Sequence, residues 1–316
     1  MSASLADSTI QLGKSQARGL GAGGIPEIGR LSAIDQSGEI EELVQGVDMV
    51  FVTAGMGGGT GSGAAPVVAE LAKKHGCLTV GIVTKPFSFE GRRRMKQALI
   101  AIEELEAQVD ILIVVSNDKL LEIVPEGVPL QEAFTLADEI LRQGISGISD
   151  IVMKPGLINV DFADVRSVMQ DAGPALMGIG RGFGKSRARD AALAAISSPL
   201  LDFPIEKSHG VVFTITGNSD MSLQEVNDVA SIISNIVADD ANIIFGSSVD
   251  ESYGDEMAVT VVATSFERFE EQVLSQTSRA PPAPLAPRQE APACLEPPRP
   301  SKYGEPQRPR KFWRRF

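Results

Sequence analysis

The chain has 316 residues, 43% of them hydrophobic and 22% charged, and its formal net charge is −12. This composition supports a sizeable apolar core and favours two folded domains with a tail over a disordered or fibrous chain. The negative charge argues against binding to nucleic acid phosphates, and we expect no membrane span, because no apolar run approaches the roughly 18 residues that one needs.

The cysteines and histidines do not indicate a metal centre. Cys77 and Cys294 lie too far apart in sequence to suggest a disulfide framework or a metal clip, and a reducing compartment fits them. His75 and His209 are isolated, so we interpret them as surface or packing residues and predict no zinc or iron site. The first residues also lack the pattern of a secretory signal.

Three short runs rich in aliphatic residues predict parallel strands in the first part of the chain. They are Met49–Ala54, Leu78–Thr84 and Asp110–Ser116, with helical stretches between them. Strands joined by crossover helices give this pattern. The stretch Glu90–Gln108 predicts one such helix, because its apolar residues recur at three- and four-residue spacing.

A long helix is predicted from about Leu130 to Met153, and its apolar residues surround much of its circumference. We therefore expect it to be buried between two domains. A second α/β unit follows, with predicted helices near Asp164–Asp171, Lys185–Ile196 and Ser222–Ala238 and predicted strands near Leu176–Gly180, Val211–Ile215, Ile243–Gly246 and Met257–Ala263. Ser222 with Glu225 three residues later has the spacing of a capping box.

The end of the chain predicts a disordered tether with a basic and aromatic tip. Ten of the 19 prolines follow Ser275, with almost no periodic apolar pattern. The last 18 residues hold seven basic residues and one acidic residue, a net charge of +6, so residues 1–298 carry −18. Aromatic and cationic residues alternate over Lys311–Phe316, which suits docking in a groove or on an acidic membrane surface. An unselected basic end is the alternative.

The strongest local signal is the segment Gly57–Gly63 (GGGTGSG) between the strand Met49–Ala54 and a helix expected to open at Ala64. Glycines let the backbone turn its N–H groups around an anion, and a helix N-terminus adds partial positive charge. Pro66 would suit the first turn of that helix. The segment therefore predicts a phosphate-binding loop, with a simple flexible turn as the alternative.

A second glycine-rich segment, Gly178–Ser186 (GIGRGFGKS), resembles a P-loop but does not match it. The P-loop pattern requires a glycine five residues before Gly184, and that position is Ile179. We interpret the segment as a strand-to-helix turn.

Together with the glycine loop, motifs spread over about residues 10–267 resemble FtsZ, the tubulin-like GTPase family that polymerises to mark a division site. The matching motifs follow in the family's order: Pro86-Phe87, Glu90–Arg94, Asn117–Lys119, Ala133-Phe134, Asp138 and Asn159–Asp164. The resemblance implies an α/β, tubulin/FtsZ-like fold with a Rossmann-like GTP-binding domain. It divides the chain into a partial GTP-binding domain (1–128), a central helix (129–153), a smaller α+β C-terminal domain (154–270) and a disordered linker with a basic-aromatic peptide (271–316).

The resemblance also implies roles for individual residues in binding GTP, with Mg²⁺ as a candidate companion ion. The phosphates would be held by Gly57, Gly58, Gly59, Thr60, Gly61, Ser62 and Gly63, and a further nucleotide loop would contain Gly23. Glu90 would accept from the ribose hydroxyls, and Arg94 would add a charge-assisted contact. Taken alone, Glu90 and Arg94 could equally form an i,i+4 surface pair.

Guanine recognition is assigned by the same resemblance. Asn117 and Asp138 would read the base, since a carboxylate can accept from N–H groups that adenine lacks. Phe134 would stack on the ring, although its alternative role is that of a core residue.

Hydrolysis is expected to require two subunits. The resemblance implies that Asn159, Asp161 and Asp164 insert against the nucleotide of the next subunit and position water, and that a GTPase active site is thereby completed. Asp161 and Asp164 lie three residues apart at a helix start, where capping is an alternative role that can hold at the same time. The expected self-association is a head-to-tail filament.

The remaining expectations concern partners and location. A membrane tether or adaptor of the division ring would bind residues 310–316, and nucleic acid is not an expected partner. The stretch Ser198–Glu206 resembles plastid members of the family. The expected location is therefore the chloroplast stroma or the cytoplasm, at the division site.

The chain also departs from the family pattern. FtsZ ordinarily has a strand, a first glycine-rich loop and a second strand before the region that Ile10–Gly13 resembles, and these do not precede it here. We expect an N-terminally truncated nucleotide domain with an exposed apolar sheet edge, from either an incomplete gene model or a truncated protein. The stretch Arg18–Gly29 matches a third nucleotide loop, but Ile25 replaces an asparagine, and the helix expected over Leu31–Gly46 is weakened by Asp35–Gly38.

Two other functions stay open from the sequence. The first is a structural subunit that binds nucleotide weakly, does not hydrolyse it and co-polymerises with full-length FtsZ. The second is an NAD-binding enzyme, which is disfavoured because Arg18–Gly29 does not follow a strand and the expected acidic residue is absent.

Overall fold

A computed structural model describes residues 4–13, 21–119, 129–153, 158, 160–201, 205, 208–238 and 240–266. In these residues the helices and strands run in the order α1 Pro26–Ile34, α2 Ser37–Val44, β1 Met49–Gly55, α3 Thr60–Lys74, β2 Leu78–Lys85, α4 Arg92–Glu106, β3 Ile111–Ser116, α5 Leu130–Met153, α6 Phe162–Met169, β4 Gly173–Phe183, α7 Arg187–Ile196, β5 Ser208–Gly217, α8 Leu223–Ser234, β6 Asn242–Val249 and β7 Glu256–Phe266. The strand and helix positions predicted from the sequence are confirmed to within a few residues, apart from the corrections below.

The strands of the described part form one sheet in the order β1-β2-β3-β4-β7-β5-β6. The first three strands are parallel. β4 continues the sheet in two steps, because Gly173–Ala175 pair in parallel with β3 and Leu176–Phe183 pair antiparallel with β7. β5 then pairs antiparallel with β7 and parallel with β6. One strand thus connects the parallel half to the mixed half.

Within the described residues no strand pairs with the outer edge of β1. Val50 and Phe51 on this strand are only half-buried and Thr53 is exposed, whereas the first six residues of β2 are all buried. Among the described strands β1 is therefore an edge strand, and its side chains are less buried than those of β2.

Helices cover both faces of the parallel half. On one face, α3 and α4 pack against the strands through a cluster that includes Val52, Ala69, Val83 and Leu105. On the other face, α5 and α6 pack through a cluster that includes Ile82, Ile113, Ile148 and Val165. A third cluster, from α7, α8, β5 and β7, fills the C-terminal half.

Two predictions about helices are wrong. α3 begins at Thr60 rather than Ala64, so Pro66 lies in its second turn, where the Ser62 carbonyl lacks the N–H donor that another residue would supply. The early start is possible because Gly61 and Gly63 leave room for backbone, as described below. The stretch predicted as one helix over Leu31–Gly46 is two helices, α1 and α2, separated at Asp35 and Gln36.

The long helix α5 has the predicted bounds, but it is not buried along its whole length. Of its described side chains, those in the first two turns are exposed, and burial begins near Gly144. A Cβ at Gly144 would lie 2.2 Å from Met177 Sδ, and one at Gly147 would lie 2.8 Å from Thr260 Cγ2. These two glycines allow the second half of α5 to pack closely against β4 and β7.

The segment Gly178–Ser186 is confirmed as a strand-to-helix turn. A Cβ on Gly178, Gly180 or Gly182 of β4 would come within 2.0 to 2.2 Å of a carbonyl oxygen of α7. These glycines therefore serve close packing between strand and helix, which explains a P-loop-like sequence without phosphate chemistry.

A buried arginine joins α7 to α8. The Arg187 guanidinium donates to Glu225 at 2.7 Å and to Asp220 at 2.9 Å, and its side chain is only 7% exposed. The predicted capping box is confirmed, because Ser222 and Glu225 exchange the expected bonds. The Arg187 hydrogen bond, opposed by burial and helped by Ser222, lowers the pKa of Glu225 to about 2.

None of the described helices is both long and apolar enough to cross a membrane.

Candidate functional site

Three parallel strands end at the same level. Gly55 of β1 is in register with Thr84 of β2, and Lys85 of β2 is in register with Ser116 of β3. The segments that follow these strands therefore meet at one edge of the sheet, where ligands of open α/β sheets bind. The predicted site residues Gly57–Gly63, Glu90 and Asn117 all follow directly from this edge.

The glycine loop turns from β1 into α3. Gly57 has a φ of 95°, in the left-handed region, and a Cβ there would lie 2.8 Å from the carbonyl oxygen of Arg94. Gly58 faces open space, and the N-cap Gly59 has no side chain to accept from the first N–H groups of the helix. The loop therefore leaves backbone donors and the positive end of a 15-residue helix available to an anion.

Ser62 has a different position from its neighbours in the loop. Its side chain is fully buried, and its hydroxyl accepts from the Gly57 N–H at 2.9 Å. It braces the turn from within, whereas Thr60 is exposed at the helix start. Thr60 is thus the loop hydroxyl that can reach a ligand, and the bracing role of Ser62 is not readable from the motif.

The other loop glycines provide space for α1 and the turn before it. A Cβ on Gly59 would lie 2.7 Å from Ala22 Cβ, and one on Gly63 would lie 2.0 Å from the Pro26 carbonyl oxygen. The turn that holds Gly23, at φ 56° and exposed, is thereby packed against the glycine loop. The predicted third nucleotide loop and the phosphate loop are adjacent in the structure.

Glu90 and Arg94 form an ion pair. Arg94 Nη1 lies 2.5 Å from Glu90 Oε2, and the other carboxylate oxygen accepts from the Phe87 N–H at 3.0 Å. The Glu90 side chain is 19% exposed and the Arg94 side chain is 51% exposed. The i,i+4 pair considered from sequence is therefore present, and it holds both side chains beside the glycine loop.

Three phenylalanines meet next to this pair. Phe87 is buried, stacks on Phe89 at 4.9 Å and makes an edge contact with Phe134 at 5.4 Å. Phe134 remains 42% exposed, so it contacts the core while leaving ring surface for a ligand. Asp138 follows one turn later on the same side of α5 and is exposed.

Asn117 carries an unusual polar atom. Its side-chain oxygen Oδ1 is buried and has no hydrogen-bond partner in the structure. An unsatisfied buried acceptor costs about 1 to 3 kcal/mol, and a functional role is one explanation for such a group in a folded protein. A ligand that offers an N–H group at the carboxyl edge would satisfy this oxygen, which fits the proposed reading of guanine.

Sequence reasoning missed one residue of this edge, Asp118. Its carboxylate accepts from the Ser88 N–H at 2.9 Å and from the Ser88 hydroxyl at 2.5 Å. It thereby fixes the short 3₁₀ turn Ser88–Glu90 that presents Phe89 and Glu90. Its position directly after Asn117 in the quoted motif was the signal that could have identified it.

The predicted hydrolysis residues lie at the opposite end of the sheet. Asp161 caps α6, accepting from the Ala163 N–H at 3.4 Å, and both Asp161 and Asp164 are exposed. Arg166 on the same helix donates to the carbonyl of Gly76, just beyond the end of α3. Because α3 has 15 residues, about 22 Å of helix separates that end from Thr60. Asn159 lies outside the described residues.

One chain therefore does not bring its acids to its own glycine loop. The carboxyl edge offers backbone donors, an orphaned acceptor and an exposed ring face, which suit a phosphorylated base. The far end offers two carboxylates. Among the described residues no group of three or more His, Cys, Asp or Glu side chains is arranged to hold a metal ion.

Comparison with known proteins gives consistent matches. The family model described as the Tubulin/FtsZ family GTPase domain matches residues 1–125, and that of the FtsZ family C-terminal domain matches residues 173–267. The structure resembles an empty FtsZ dimer of M. jannaschii at 45% identity and TM-score 0.78, covering 80% of this chain and 74% of that one. A W319Y mutant of M. jannaschii FtsZ gives 45% identity and TM-score 0.81, covering 84% and 79%.

A more distant likeness concerns the fold alone. A GTPγS-bound protofilament of CetZ2 from Haloferax volcanii is 21% identical, with TM-score 0.66, and the match covers 85% of this chain and 82% of that one.

Proposed function

Because this chain belongs to the FtsZ family of tubulin-like proteins, we propose that it binds GTP and assembles head to tail into filaments that hydrolyse it. The observation that carries the proposal is the separation of the two parts of the site. The glycine loop lies at the carboxyl edge of the sheet, and Asp161 and Asp164 lie at the other end. A second copy stacked on the first would bring the two parts together.

The residues at the carboxyl edge suit each part of the nucleotide. The first-turn N–H groups of α3 would donate to phosphate oxygens, and Thr60 would add its hydroxyl. Asn117 Oδ1 would accept from a guanine N–H, Asp138 would accept from others, and Phe134 would offer its exposed ring face. Each assignment uses an atom that is exposed or unpaired in the structure.

Glu90 and Arg94 have a positioning role in this proposal. The Glu90 carboxylate already accepts from the Phe87 N–H and Arg94, but its oxygens retain lone pairs for a ribose hydroxyl. The guanidinium of Arg94, half exposed, keeps further N–H groups for a phosphate. When bound, Mg²⁺ would offset negative charge on the phosphates.

The acids would act on the neighbouring subunit. Asp161 and Asp164 lie at the start of α6, and both residues are exposed. In the adjacent copy's site a carboxylate can hold a water molecule in line with the terminal phosphate and accept its proton. Assembly and hydrolysis would then be coupled, because neither end is a complete active site alone.

We also propose a division-site role, on the basis of the family alone. Residues 310–316 would bind a membrane tether or adaptor. The protein would act at the division site, in the cytoplasm or the chloroplast stroma. Co-purification of partners with the chain, with and without Lys311–Phe316, tests the tether. A division phenotype that survives loss of these residues would contradict it.

The proposed activity is tested by titrating a fluorescent GTP analogue against the chain and displacing it with GTP or ATP. We expect displacement by GTP at concentrations at least about tenfold lower than by ATP, since a lost guanine hydrogen bond costs over 1 kcal/mol. Sedimentation and phosphate release are then measured with GTP. Equal displacement by ATP, or hydrolysis that does not depend on chain concentration, would contradict the proposal.

A further inference from the structure

The outward face of α4 carries an ordered stripe of exposed side chains. Its members follow one another at alternating spacings of four and three residues, which places them along one side of the helix: Arg92, Lys96, Leu99, Glu103 and Glu106. The opposite side of α4 holds the buried residues that pack over the sheet. The stripe therefore reads basic, basic, apolar, acidic, acidic over about 21 Å of helix.

This order of charges does not stabilise α4 by itself. A helix is stabilised by acids in its first turn and by bases in its last turn, and α4 has neither. Arg92 and Lys96 lie four residues apart and repel each other, as do Glu103 and Glu106 at the other end. Partial burial, together with the charge of Glu103, raises the pKa of Glu106. Opposite charge supplied from outside the helix would relieve both repulsions.

The acidic end of the stripe borders a cavity of about 530 Å³. Its charged lining consists of four acids and one lysine, a formal net charge of −3: Glu103, Glu106, Asp110, Asp171 and Lys73. The lysine is already engaged, because Lys73 Nζ lies 3.0 Å from Asp171 Oδ1 and 3.5 Å from Asp110 Oδ1. Arg30 of α1 acts on Glu104, which flanks the stripe. The acidic end therefore suits cationic side chains of a partner.

The basic end carries more positive charge than the stripe alone. Exposed Arg93 lies beside it. Of the acids near this end, Glu90 is paired with Arg94, and Asp118 accepts from the turn Ser88–Glu90 that precedes α4. The two ends of α4 therefore have the charges that each would need in a partner.

We propose that α4 packs antiparallel against α4 of a second copy of this chain, about a twofold axis near Leu99. Arg92 lies seven residues before Leu99, and Glu106 lies seven residues after it. An antiparallel copy therefore places Arg92 opposite Glu106. It places Lys96 opposite Glu103 in the same way, and each pair occurs twice because the contact is symmetric.

The middle of the stripe supplies the apolar part of the contact. Leu99 is 51% exposed and its neighbour Ile100 is 49% exposed. Single exposed aliphatic side chains are ordinary on protein surfaces, but these lie between charges of opposite sign, which favours a second copy over an uncharged partner. α4 runs from the carboxyl edge of the sheet back to the start of β3. Its outward face is therefore separate from both ends of the sheet, and the contact is distinct from the head-to-tail one.

Disulfide trapping of a single-cysteine variant tests the twofold contact. Leu99→Cys is made with Cys294→Ser, leaving Cys77, which is only 3% exposed, and is oxidised without nucleotide. Because Leu99 faces Leu99 across the axis, we expect a disulfide-linked dimer from this one variant. Leu223→Cys is the matched control, since Leu223 is 79% exposed on α8. A Leu99→Cys dimer no stronger than that of the control overturns the contact.

Charge reversal in the Leu99→Cys background tests the antiparallel register. Lys96→Glu and Glu103→Lys are each expected to lower the dimer yield about tenfold, because two ion pairs worth up to about 1 kcal/mol each become repulsive. Mixing the two reversed variants should restore the dimer, because the new glutamate of one then faces the new lysine of the other. Reversed variants that dimerise as well as Leu99→Cys, or a mixture no better than its components, overturn the register.

These results do not depend on the proposed GTPase. GTP affinity is measured on the same samples with the fluorescent GTP analogue, and a dimer restored by mixing without any GTP binding supports the α4 contact while contradicting the proposed function. One helix pair gives a weak contact between single copies. Its repetition along two filaments, the one consequence that rests on the proposed function, would strengthen it.

Discussion

Replacing Asn117 with leucine separates stability from binding. The buried oxygen Oδ1 has no partner in the ligand-free chain, and such an atom costs about 1 to 3 kcal/mol. Leucine has a similar size and shape but no polar atom to satisfy. We therefore expect Asn117→Leu to raise the free energy of unfolding by about 1 kcal/mol, or the Tm by about 2 to 4 °C. The same change should weaken GTP binding at least about tenfold, because the guanine N–H then loses its acceptor.

The two effects are measured by urea unfolding without nucleotide and by titration with a fluorescent GTP analogue. Thr214→Val is the matched control, since the Thr214 hydroxyl donates to the Gly147 carbonyl at 2.8 Å in a buried position. It should lose about 1 kcal/mol of stability and keep its GTP affinity. If Asn117→Leu is instead destabilised by more than about 1 kcal/mol and binds GTP normally, Asn117 is a structural residue and the reasoning fails.

Two further predictions concern packing and pH. Gly63→Ala should destabilise the chain by about 2 to 3 kcal/mol, because the new Cβ would lie 2.0 Å from the Pro26 carbonyl oxygen. Gly58→Ala is the control, because a Cβ at Gly58 would have no neighbouring atom within 4 Å, so this variant should fold normally and bind GTP more weakly. Equal stabilities of the two variants in urea unfolding would contradict this prediction. Because Arg187 holds the folded pKa of Glu225 at about 2, below its ordinary 4.5, the pair stabilises the fold above that ordinary value and loses its effect as the pH falls towards 2. Glu225→Gln should therefore be less stable than the unaltered chain at pH 7, and the difference in the free energy of unfolding should shrink as the pH falls from 4.5 towards about 2. A difference in stability that does not change with pH would refute the contribution of the ion pair.

Local patterns in the sequence predicted the elements of the fold well. The positions of β1, β2 and β3 and of the capping box of Ser222 and Glu225 could be predicted from the sequence. Each depends on residues that are close together in the chain. The path of the sheet was not, because the change of β4 from β3 to β7 depends on pairing between distant segments. The start of α3 was missed for a related reason: Thr60–Gly63 can be helical only because Gly61 and Gly63 pack against backbone from elsewhere.

The site was predictable in its members but not in its arrangement. The motifs named Glu90, Arg94 and Asn117, and the family match supports the function they imply. They could not show that Ser62 faces inward, that Asn117 lacks a partner, or that Asp161 lies at the far end of the sheet from the glycine loop. Each of these facts depends on tertiary contacts, which residue spacing does not encode.

The central claim, that the active site is shared between copies, is tested most directly by mixing two inactive variants. Asp164→Asn should bind GTP without hydrolysing it, and Asp138→Ala should keep its acids but bind GTP weakly. An active contact needs Asp164→Asn as the subunit that holds the nucleotide and Asp138→Ala as the subunit that supplies the acids. In a random head-to-tail filament of the equimolar mixture, about a quarter of the contacts have this arrangement. We predict that phosphate release by the equimolar mixture approaches a quarter of the unaltered rate, and a mixture no more active than its separate components would contradict the account.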